Sequence, residues 1–97
     1  MTHLALRLDP QDDVAVVLAA TPAGGSVQAD DGAVVVTARA TIPIHHKIAL
    51  RDLAEGEALR RGGIVIGQTT ASIIKGDHVH THNLRSLRAQ PNSRSMK

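Results

Sequence analysis

The sequence predicts a small, mostly β domain. Three observations carry that reading: short apolar runs are cut by Gly, Asp and Pro, several runs alternate apolar with polar residues, and no window keeps a helical period for three turns. At 97 residues the chain makes one domain, and without Phe, Tyr or Trp its interior must be built from Val, Ile, Leu and Ala. Each large aliphatic side chain contributes roughly 1.5–3 kcal/mol when fully buried. Stability is therefore modest, and support from a partner surface or from self-association as a homo-oligomer is expected.

Leu4, Leu6 and Leu8 alternate with His3, Ala5 and Arg7, so a first strand should bury the leucine face. "DPQDD" then turns the chain. Val14 to Ala19 is apolar on both faces, which predicts a second, well-buried strand, and "TPAGG" ends it. Val27 opens a short strand that reverses through "DDG" at 30–32, an Asp-Gly hairpin signal, into "AVVVTA". In "HHKIAL", His46, Ile48 and Leu50 should share one face and Lys47, Ala49 and Arg51 the other. "RDLAEGEALRR" is the only helical patch, and Gly56 in its middle, at about 1 kcal/mol against Ala in a helix, favours a turn.

A short repeat supports the turn reading. "LAEGEAL" (53–59) and "IIKGDHV" (73–79) align at an offset of twenty residues, and "TPAGGSV" (21–27) echoes them around Gly24. Each has an apolar anchor, a glycine turn and a strand start, which implies a compact, many-turned β fold with long excursions between pairing strands.

The formal charge of +2 is unevenly spread. Arg85, Arg88, Arg94 and Lys97 form an acid-free, basic tail over residues 85–97, leaving seven basic residues against nine acidic ones in the body, residues 1–84. A slightly acidic body without aromatic stacking platforms argues against nucleic acid as a partner. No stretch is long enough to span a bilayer, so no membrane partner is expected. The absence of cysteine excludes disulfides and thiolate metal sites, and with no secretory pattern at the start it fits a reducing, cytoplasmic setting.

The chemistry concentrates in "GDHVHTHNL" (76–84). On an extended backbone His78, His80 and His82 would project from one face, with successive Cβ atoms about 7 Å apart. That spacing lets two imidazoles meet on one metal but spreads three too far unless the strand bends. Neutral imidazole suits Fe, Mn or Zn, and each ligand would need its second ring nitrogen held by a neighbour such as Asn83 or Asp77. The plainer alternative is three polar side chains on the outer face of an edge strand. His46 and Lys47, as neighbours, can enter one cleft only if the backbone turns there, as Pro43 allows. His3 and His45 read as surface residues.

"HKIALRDLAEGEALRRGGIVIGQTTASIIKGDHVHTHN" resembles the N-terminal β-clip (SAF) domain of the altronate and galactarate dehydratase family. The matching features are His46-Lys47 with Ala49-Leu50, the Asp52 to Glu57 turn, the Gly62 to Gly67 element, and His78-Val79-His80 with His82-Asn83; "DDVAVVL" also resembles an early family strand. Two positions depart from the family pattern: His45 stands where Gly is usual, implying a different turn, and Asp13 stands where Asn is usual.

The resemblance implies a small β-clip domain with long hairpin excursions, acting as the small subunit of a metal-dependent sugar-acid dehydratase and inactive alone. A large catalytic subunit of the same enzyme would be its partner and a sugar acid its substrate. It further implies catalytic roles for His46, Lys47 and His80, contact of Lys47 and Asn83 with substrate, and a divalent metal, Fe(II) or Mn(II), held by His78, His80 and His82 and shared with the large subunit. The reaction would eliminate water from an aldonic or aldaric acid. Other readings are the small subunit of an enzyme like (2R)-sulfolactate sulfo-lyase, a non-catalytic sugar-acid-binding module, and a metal-buffering protein.

Overall fold

The computed structural model describes residues 2–86 and is a β protein in two sheets. The strands are β1 (Thr2–Leu6), β2 (Val14–Val17), β3 (Ser26–Ala29), β4 (Val34–Thr37), β5 (Lys47–Ala49), β6 (Ala58–Arg61), β7 (Ile64–Thr69), β8 (His78–Val79) and β9 (Leu84–Ser86). Six form one sheet in the order β4-β3-β1-β2-β5-β8, and β6-β7-β9 form the second. All pairs are antiparallel except β1 with β3. The β-clip fold class expected from the sequence is the one observed. Arg85 and Ser86, the first residues of the expected basic tail, lie in β9, and 87–97 lie outside the described residues. Among the described residues no helix is long and apolar enough to cross a membrane.

The predicted hairpin at 30–32 is present as a single 3-10 turn, Asp30–Gly32, between β3 and β4. Asp30 and Asp31 both take positive φ there, which short polar side chains tolerate. Two aliphatic cores fill the interior. One gathers Ala5, Val17, Val27, Val36, Ile42 and Ile48. The other gathers Val14, Ala49, Leu53, Leu59, Ile73 and Val79. Strand β5 is a wall between them: Ile48 faces the first core and Ala49 the second, as the expected alternation requires.

The first strand forms, but with its faces reversed. Leu4, Leu6 and Leu8 are 60%, 49% and 52% exposed, while Ala5 is buried. Strand β1 runs between β3 and β2, and the space on its inner side already holds Val17, Val27, Val36 and Ile48, so the small residue fits and the leucines fall outside. Similarly, β2 ends at Val17 and Leu18 is 49% exposed rather than buried.

The repeat has four members, not three. Residues 21–27, 42–48, 53–59 and 73–79 share one course: a bridging residue, a four-residue turn, then extended chain. The bridges join them in pairs, Thr21 with Ile42 and Leu53 with Ile73. Each turn closes with the same backbone bond: Gly25 to Pro22, His46 to Pro43, Glu57 to Ala54 and Asp77 to Ile74, the first residue donating its N–H, at 2.8–3.2 Å. The third turn position takes positive φ in all four, at Gly24 (86°), His45 (69°), Gly56 (83°) and Gly76 (95°). His45 therefore adopts the same turn as the glycines, not the different one its identity suggested.

Buried carboxylates join the sheets. Asp12 accepts from the backbone N–H groups of Gly62 (2.8 Å) and Gly63 (2.9 Å) with one oxygen each, and from Asp9 (3.1 Å). Asp13 accepts from Arg60 N–H (2.8 Å) and from Arg51 Nε (2.6 Å). Burial alone would raise the Asp12 pKa, but the amides of Gly63, Gly62, Asp9 and Leu8 outweigh it and hold the carboxyl below its ordinary value.

Urea denaturation should show His45→Gly more stable than the parent by about 1 kcal/mol, because the left-handed cost disappears. Gly76→Ala should lose about 3 kcal/mol, since its Cβ would combine that strain with an approach of 2.2 Å to the Thr37 carbonyl oxygen. Separately, a depressed carboxyl pKa contributes stability that is complete above the unfolded value, about 3.9, and is lost as pH falls through the folded one. Asp12→Asn should therefore cost about 2 kcal/mol at pH 7, and denaturation repeated near pH 3 should show a smaller gap between variant and parent.

Candidate functional site

The imidazole-bearing segment does not run straight. Strand β8 contains only His78 and Val79; the chain bends at His80 and turns through residues 81–83. The turn closes with Asn83 N–H donating to the His80 carbonyl at 3.1 Å. Buried Asn83 fixes the bend with both ends of its amide: Oδ1 accepts from His80 N–H (3.0 Å) and Nδ2 donates to the His78 carbonyl (2.9 Å). The expected three-in-line arrangement of His78, His80 and His82 is thus replaced, because a side chain able to mimic a backbone partner competes with the strand ladder.

The bend lets a histidine from another strand complete the group. Lys47 pairs with Val79 and Ile48 with His78 across β5 and β8, so His46 falls opposite His80. The turn at Pro43–His46 delivers it there. The rings of His46 and His80 stack with centroids 4.0 Å apart, and His46 Nδ1 lies 2.8 Å from His78 Nε2. One ring nitrogen from each of His46, His78 and His80 lies within 4.8 Å of the others. His82 stays outside this triad, exposed, with its ring tilted 5.1 Å from that of His78.

The surroundings of His78 and His80 disfavour their protonated forms. Burial, followed by the charges of His82, His46, His80 and Lys47, pushes His78 below the ordinary imidazole range. Burial, His46, Lys47 and His82 do the same to His80. Neutral rings are the form that binds metal. The half-buried triad brings three nitrogen donors within 4.8 Å of one another, and imidazole donors are a set suited to Zn, Fe or Mn.

Beside the triad lies an open cavity of about 380 Å³ whose lining includes His80, Lys47, Arg61, Leu8, Ile64 and Leu84. Lys47 leaves β5 on the opposite face from His46, so His80, at the bend, is the residue common to triad and cavity. Burial and then the Arg61 charge lower the Lys47 pKa.

The sequence-derived candidates divide accordingly. His46, His78 and His80 come together, and Lys47 reaches their edge. Neither residue expected to hold the second ring nitrogens does so: Asn83 is engaged with backbone, and Asp77 binds Arg39 (2.7 Å) and the Ile74 amide (2.8 Å). Asn83, expected to contact substrate, instead shapes the turn. His45 is exposed as expected, whereas His3 is half-buried beside Gly25. Arg61 had no signal in the sequence, since "RR" before a glycine pair reads as solvated charge.

A model of the altronate/galactarate dehydratase SAF domain matches residues 3–87. The chain is 38% identical over 81 residues to altronate dehydratase of Escherichia coli, a match covering 84% of this chain and 16% of that enzyme. It is 39% identical over 62 residues to the (2R)-sulfolactate sulfo-lyase subunit alpha of Paracoccus pantotrophus, covering 64% of this chain and 92% of that subunit. The same-named subunit of Chromohalobacter salexigens is 49% identical over 47 residues, 48% of this chain and 50% of that one. The match thus spans half of one of these relatives and a small part of another.

Asn83→Ala removes the side-chain partner of part-buried backbone groups at His78 and His80. It should lower stability by about 2 kcal/mol in urea and broaden the His80 ring resonances in NMR spectra, while Thr81→Ala, at an exposed turn position, should do neither.

Proposed function

The chain belongs to the altronate/galactarate dehydratase SAF domain family, and from that membership we propose that it is the small subunit of a metal-dependent sugar-acid dehydratase, helping to complete the active site of a large catalytic subunit. The observation that carries the proposal is the half-buried triad of His46, His78 and His80 beside an open cavity, with Lys47 at its edge.

The elimination removes a proton beside a carboxylate and expels a hydroxyl group, so charge accumulates on the carboxylate oxygens. Lys47, half-buried at the edge of the triad, would hold that carboxylate. His46, His78 and His80 would hold the divalent ion, Fe(II) or Mn(II). When bound, such an ion supplies Lewis acidity toward substrate oxygens. Imidazoles serving as ligands do not also shuttle protons to substrate, so the proton roles expected of His46 and His80 would pass to groups outside the triad, such as His82, whose ring lies 5.1 Å from that of His78. Remaining ligands and the base would come from the large subunit.

A second reading, the small subunit of a sulfo-lyase, draws support from the 92% coverage of the Paracoccus subunit. It uses the same groups with sulfite as the leaving group.

Coexpression with the large subunit tests both. The complex should form keto acid from altronate or galactarate, and His46→Ala, His78→Ala and His80→Ala should each reduce kcat at least about a hundredfold while the complex stays assembled. Sulfite release from sulfolactate, with the sugar acids inert, would select the second reading. Unchanged turnover in all three variants would overturn both.

A further inference from the structure

The cavity beside the triad differs in charge balance from the larger cleft lined by Asp12, Asp13, Arg51 and Glu57. In that cleft, of about 620 Å³, Arg51 is paired with Asp13 at 2.6 Å and Glu57 at 2.7 Å. Arg7 is likewise paired with Asp30. In the cavity lined by Lys47 and Arg61, no acidic residue is among the lining groups. Neither cation forms an ion pair or side-chain hydrogen bond among the described residues, and Arg61 Nε is buried without a partner. Two cations thus face one open space whose walls include the apolar side chains of Leu8, Ile64 and Leu84.

Two like charges without an ion-pair partner on one cavity wall favour a ligand that supplies negative charge. A single carboxylate can neutralise one of them and leaves the other desolvated; a ligand with two negative groups neutralises both. The guanidinium is the better matched to a planar or tetrahedral oxyanion, because its N–H groups form a fixed fork. We propose that Lys47 and Arg61 form a dianion-binding pocket, so that the acid this protein receives is a compact dianion, a dicarboxylate or a carboxylate–sulfonate, in preference to a monocarboxylate. Arg61 is then the specificity-determining residue. The proposal rests on the reading of the neighbouring triad as part of an active site, and narrows its substrate class.

The test is an NMR titration of the intact 97-residue chain in low salt with galactarate, sulfolactate, sulfate and gluconate, following the Arg61 Nε–H signal and the Ile64 and Leu84 amides. The dianions should shift these signals with Kd values at least about tenfold below that of gluconate. Arg61→Gln should abolish the preference, Arg61→Lys should retain most of it, and the exposed-site control Lys75→Gln should leave it unchanged. The tighter of galactarate and sulfolactate identifies which dianion class the pocket takes. Equal affinities for gluconate and the dianions, an absence of binding, a preference surviving in a folded Arg61→Gln variant, or shifts centred on Arg51 would each overturn the proposal. Dianion preference in the chain without turnover in the coexpressed complex would uphold the pocket and overturn the lyase reading instead.

Discussion

The structure depends on two adjacent buried carboxylates. Asp12 and Asp13 stand just before β2, yet their side chains accept backbone N–H groups from Arg60, Gly62 and Gly63 at the β6–β7 hairpin. The Asp13 carbonyl also accepts from Leu50, just beyond β5. These two residues therefore tie together the six-stranded sheet, the three-stranded sheet and the strand that carries Lys47. Hydrogen bonds to a charged acceptor contribute roughly 1.5–3 kcal/mol, a large fraction for a chain of this size. They also set where Arg61 and Ile64 sit relative to Lys47, so the cavity inherits its geometry from a contact that touches none of its ligand-facing atoms.

Much of the fold was legible because turns in this chain are marked by residues with mechanical reasons to be there. Gly24, Gly56 and Gly76 announced three of four equivalent turns through the one property they share, tolerance of positive φ. The fourth went unread because His45 occupies the same backbone state, and nothing in a side-chain pattern reports that. The β1 faces failed for a different cause. Alternation reveals that a strand has two faces; the neighbours, here an already crowded core around Ala5, decide which one is inside.

The site was legible in composition and less so in geometry. Spacing singled out His78 and His80 and required a bend before a third ring could join them. The bend exists, but it turns His82 away and lets His46 in, through a strand pairing with a sequence separation of about thirty residues that no local pattern encodes. Asn83 was noticed as a polar neighbour of the rings; its action on backbone atoms became visible only when its two amide contacts could be traced. Arg61 carries no local mark at all, since its significance lies in sharing with Lys47 a cavity whose described lining includes no acid.

The wall-like position of β5 has a stereochemical corollary. Because neighbouring residues on a strand point to opposite sides, the ring of His46 and the ammonium of Lys47 address a visitor from two directions around the end of the sheet, with the hydrocarbon surface of Leu8 and Ile64 as a third point of contact. Three different anchors approached from one side only cannot be satisfied equally by an object and its reflection. A chiral acid spanning them would thus be sorted by handedness through the pleat of the polypeptide itself.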